Sequence, residues 1–90
     1  MKIYDDITNY YEDLVIQHFT QLGIDEKYDD DYVADLTCIV LNQLPTRYIR
    51  HQVDMVFYLP DSELIEMKTK VKSATKKSLE FMENNQKANA

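Results

Sequence analysis

The sequence predicts a mainly α fold: three main helices, with one short β-strand or hairpin between the second and third, in a chain expected to form a homodimer. Three observations lead there. One glycine occurs in 90 residues and 44% of the residues are hydrophobic, a balance that suits packed helices and not a disordered chain. Apolar residues recur at helical spacing in three separate stretches. Strict alternation is clear in only one stretch. Ninety residues make one domain, expected over 1–84 with a frayed tail over 85–90. A core this small is marginal alone, and pairing of two chains is a common remedy.

Ile7, Tyr10, Tyr11, Leu14, Val15, His18, Phe19 and Leu22 fall on one helical stripe. Gly23 supplies a left-handed stop, so a first helix is expected from about residue 6 to residue 22. The next stretch, "DEKYDDDY", reads as a polar loop, with Asp30 or Asp31 capping the helix that follows. Val33, Leu36, Ile39, Val40 and Leu44 predict a second, more buried helix. Pro45 removes an N–H and biases Leu44 away from helical angles, which ends that helix near Gln43. "VDMVFYLP" then alternates and reads as a strand, with a partner either in the extended piece Arg47–Ile49 or in a second chain. Pro60 ends it, and Asp61 or Ser62 caps a long third helix. The stripe of that helix is Leu64, Met67, Val71, Ala74, Thr75, Ser78, Phe81 and Met82.

Charge narrows the function. The net charge is −6, with −8 over residues 1–46 and +2 over residues 47–90. Duplex phosphates repel such a chain, so nonspecific nucleic-acid binding is not expected. No apolar run approaches the ~20 residues that cross a membrane. No signal-peptide pattern opens the sequence. A cytoplasmic protein is expected, without membrane insertion.

Most candidate chemistry has a plain structural reading. Asp25, Glu26, Asp29, Asp30 and Asp31 lack the glycine and closing glutamate of a calcium loop. They read as a solvated loop and a helix cap. No HxxH, CxxC or HExxH spacing exists, so no metal is expected. Cys38 reads as a small buried hydrophobe, and His18 as a core or edge histidine. The lysines 68, 70, 72, 76 and 77 read as a solvated helix face, with a weak anion or partner patch as the alternative where Lys68, Lys72 and Lys76 line one side. With one glycine, phosphate-cradling loops are excluded. No enzymatic activity and no cofactor are expected.

The elbow "LNQLPTRYIRH" is the exception. Arg47 and Arg50 offer planar forks suited to phosphate or guanine edges. Tyr48 can stack a base, or lie in the core with its hydroxyl at the edge. His51 can assist with an anion, and Asn42 can bond near its own backbone and help to end the helix.

Two stretches together carry a resemblance. Asn9, Glu12 and Val15, followed by Asp35, Leu41, Asn42, Leu44, Pro45, Arg47 and Tyr48, match "N-x-x-E-x-x-V" and "D-x-x-x-x-x-L-N-x-L-P-P-R-Y". This pattern resembles the late competence development protein family, ComFB-like, with Thr46 in place of the second proline. The resemblance implies a small, mostly helical, non-enzymatic dimer. Some members bind zinc through a cysteine cluster. Here Lys27, Asp29 and Tyr32 stand at those places, so zinc is not carried over. The resemblance further implies a receptor for a cyclic dinucleotide, chiefly cyclic di-GMP, linked to competence, motility or type IV pili. The ligand-binding residues would be Arg47, Tyr48, Arg50, His51 and Asn42. The alternative is an adaptor without a small ligand, whose elbow shapes the surface met by a second copy or by an unidentified protein partner.

Overall fold

The fold is mainly α, as the periodicity predicts. The computed structural model describes residues 7–50 and 59–89. Helix α1 spans Tyr10–Leu22 and begins later than expected, because Asn9 caps it. The Asn9 side chain accepts a hydrogen bond from the Tyr11 N–H at 3.2 Å, satisfying one of the free donors of the first turn. Tyr10, Tyr11, Leu14, Val15 and Phe19 are buried along one face. Ile7 is not part of that stripe. It is exposed and lies in a short strand, β1, over Ile7–Asn9.

Gly23 stops α1 at φ 68°, ψ 29°, and its N–H bonds back to the last turn. The chain then makes a single helical turn, α2, over Ile24–Lys27. The expected plain loop is tied down there by Ile24, which is fully buried. Tyr28 stacks on Tyr32 with ring centroids 4.2 Å apart. Asp29, and not Asp30 or Asp31, caps the next helix and accepts from the Tyr32 N–H at 2.8 Å.

Helix α3 spans Asp30–Gln43 and buries Tyr32, Leu36 and Val40. Leu36 and Val40 have no exposed surface. Val33, Ile39 and Leu44 are only half-buried, so α3 is not the more buried helix. Leu44 turns to φ −99°, ψ 149° ahead of Pro45, the extended geometry that a following proline imposes.

The extended piece after Pro45 does form a strand, β2, over Tyr48–Arg50. Its partner is β1. The two run antiparallel, with Ile7 opposite Arg50, Thr8 opposite Ile49 and Asn9 opposite Tyr48. The strand expected over "VDMVFYLP" falls at residues 53–58 outside the described residues, and Leu59 after it is buried.

Helix α4 spans Asp61–Asn89 and packs against both α1 and α3. Met67, Val71, Ala74, Thr75 and Ser78 form its buried line. Ser78 Oγ donates to the Ala74 carbonyl at 2.7 Å and accepts from Gln43 Nε2 at 2.7 Å, which locks α3 to α4. Phe81, expected on the buried stripe, is 52% exposed. All five lysines from 68 to 77 are exposed. Among the described residues no helix is long and apolar enough to cross a membrane.

Candidate functional site

The elbow is held from behind by its backbone. Asn9 Oδ1 accepts a second hydrogen bond, from the Arg47 N–H, at 2.9 Å. The Arg47 carbonyl in turn accepts from the Tyr10 N–H at 2.7 Å. One asparagine therefore starts α1 and fixes the chain after Pro45. The two halves of the sequence pattern, 38 residues apart at Asn9 and Arg47, are two sides of one contact. Sequence reasoning placed Asn9 in a motif but missed this clamp. The signal was present, since an asparagine directly ahead of an apolar stripe is a capping position.

With its backbone engaged, Arg47 sends its side chain toward α4. Its Nε stands 3.1 Å from Glu63 Oε1. That nitrogen is sealed from water but not aligned for a hydrogen bond, so the contact is an ion pair and no more. Both side chains remain more than a third exposed, and water screens a pair of this kind to about 1 kcal/mol or less.

Arg47 lines an open recess of about 320 Å³ with Tyr11, Pro45, Thr46, Glu63 and Lys70. Glu66 also lines it and pairs with Lys70 at 3.4 Å. This recess is balanced in charge. On the other side of Pro45 lies a second recess of about 300 Å³, which shares Lys70 and adds Gln43, Ser73 and Lys77. No carboxylate lines this second recess among the described residues. An anion entering the elbow meets less repulsion there.

The predicted site residues divide into three groups. Tyr48 is 62% exposed, with its ring unburied beside Arg47 in the chain. Asn42 is exposed on the last turn of α3. The contact expected of it is made by Gln43, which also donates to the Ile39 carbonyl at 3.1 Å. Arg50 is placed by its backbone in β2, with its side chain outside the described residues. His51 lies outside them altogether.

Cys38, expected inside, is exposed. It borders a cleft of about 490 Å³ between α3 and the far part of α4, with Asp35, Ile39, Phe81 and Met82. Tyr32 closes the cleft. Its hydroxyl is buried and has no aligned hydrogen-bond partner among the described residues. Burial raises its pKa, and the neighbouring Tyr28 and Glu83 add to the rise. No group of three or more metal-binding side chains occurs among the described residues.

Comparison with curated proteins and with solved structures returned no match. A family model described as late competence development protein ComFB matches residues 8–86. That span holds both motif halves, the capping asparagine and nearly all of α4, and the chain belongs to the late competence development protein ComFB family.

Proposed function

We propose that this chain is a non-enzymatic regulatory domain in competence-related control, and that its elbow receives a cyclic dinucleotide, with cyclic di-GMP the first candidate. Family membership supports the regulatory part. One observation carries the ligand: an exposed Tyr48 ring next to Arg47, whose backbone is hydrogen-bonded to Asn9 and Tyr10. Stacking a base on such a ring contributes about 1–3 kcal/mol. The Arg47 fork suits a phosphate or a guanine edge. Lys70 and Lys77, across the Pro45 ridge, add charge for a dianion. In this reading the protein acts in the cytoplasm as a homodimer, which brings two elbows to one ligand.

The ligand has two internal competitors, of which Glu66 pairs with Lys70. Glu63 already pairs with Arg47 and must give it up. Calorimetric titration with cyclic di-GMP, with cyclic di-AMP and GTP as controls, tests the reading. Saturable heat is expected with cyclic di-GMP, lost in Arg47→Ala and strengthened in Glu63→Gln. Folded protein that gives no heat with any nucleotide refutes the receptor.

The Arg47–Glu63 pair also favours a second reading. An arginine engaged at both backbone and side chain can serve as architecture. The protein would then be an adaptor whose elbow presents Tyr48 to a protein partner. Native protein that answers no nucleotide, a fold weakened by Arg47→Ala, and loss of a protein partner on Tyr48→Ala would together identify it.

A further inference from the structure

A separate polar cavity lies where α1 meets α4. It encloses about 130 Å³. Leu14 and Val71, both buried, give it an apolar floor. Gln17, His18 and Gln21 line it from α1, and Lys68 and Lys72 from α4. Gln17 and Gln21 are one turn apart, as are Lys68 and Lys72, so each pair projects on one side of its helix. No carboxylate lines the cavity among the described residues. Neither lysine belongs to an ion pair there. Burial, and then the charge of Lys72, hold the His18 imidazole below its ordinary pKa. In a chain of net charge −6, two lysines and a suppressed histidine share one small cavity with no counterion among the described residues.

We propose that this cavity binds a tetrahedral oxyanion of the phosphate class, either free phosphate or the terminal group of a phosphomonoester. The volume suits one such group and not a whole nucleotide. The two ammonium groups and the two side-chain amides supply donors, and a phosphate supplies acceptors in several directions. The apolar floor leaves the anion no competing acceptor. His18 completes the site by gaining a proton when the anion arrives. The charged groups facing it are Lys68 and Lys72 of α4, while its own helix contributes the uncharged Gln17 and Gln21. A bound anion offsets the lysines and raises the imidazole pKa. By linkage, protonated His18 then favours the bound state.

The test is an NMR titration of the His18 ring against pH in the full chain, in chloride and in inorganic phosphate at matched ionic strength. His18→Gln assigns the signal and separates it from His51. A saturable rise of the His18 pKa in phosphate is expected. Lys72→Met, an exposed position that leaves the core intact, should weaken the phosphate response about tenfold. A parallel titration with glycerol phosphate tells the two sources apart: a response to both admits a monoester end, and a response to phosphate alone restricts the site to the free ion. Equal His18 titration in phosphate and chloride overturns the proposal. So does a shift that Lys72→Met leaves unchanged.

Discussion

Asn9 carries two hydrogen bonds on one oxygen, from Tyr11 and from Arg47. Removing that oxygen strands one donor at the start of α1 and another in the elbow. Asn9→Ala is expected to lower the unfolding free energy by about 1–3 kcal/mol, measured in urea. Asn9→Asp keeps an acceptor for both donors and should cost less than the alanine. This residue stood in the sequence pattern, but its reach to Arg47 depends on a turn made much later in the chain. Cys38 shows the opposite error. Leu36 and Val40 are one helical turn apart and define the buried line of α3. Cys38 lies two residues from each, about 200° around the helix, and so faces outward. Cys38 is not on the predicted stripe; reading α3 as buried all round turned an exposed thiol into a core residue. The Arg47–Glu63 pair could not be read at all, because only the placement of α4 against the elbow brings the two together.

The ends of the helices were more legible than their beginnings. Gly23 and Pro45 stop α1 and α3 for local reasons that a sequence displays. The starts depend on which of several capping residues wins, and Asn9 and Asp29 won over the expected positions. The β1 strand was invisible for a different reason. Three residues give no periodicity, and β1 exists because β2 lies beside it. Gly23 offers a clean test of the element scale. Among the described residues, a Cβ placed there would meet no neighbour nearer than Glu26 Oε2 at 3.9 Å. Space is therefore not the constraint, and the backbone angle is. Gly23→Ala should cost about 1–2 kcal/mol from the left-handed conformation alone. Gly23→Asn should cost less, because asparagine tolerates that region. Thermal unfolding of the two variants side by side separates the effects.

At the scale of the molecule, the titrating groups set a pH window. The His18 pKa is lowered from 6.5, by burial first and Lys72 second. The unfolded chain therefore takes up a proton at His18 before the folded chain does. Stability from this group is full above about pH 6.5 and falls as pH drops through the lower folded value. His18→Gln should flatten the acid side of a stability–pH curve, followed by urea midpoint. Tyr10 and Tyr32 are raised from 10.0, chiefly by burial. Their contribution is present below pH 10 and is lost as pH rises through the folded values. The division of charge between the two halves was evident from the sequence. How α1 and α4 would meet to enclose His18 and the lysines was not, since it depends on how the two helices cross. One further consequence comes from the three-residue pairing of β1 with β2. Two strands this short have little stability of their own, so the elbow is only as steady as the residues ahead of α1. A purification tag or fusion joined at the front of the chain would act on Arg47 through Asn9. The same addition behind α4 would leave that contact alone.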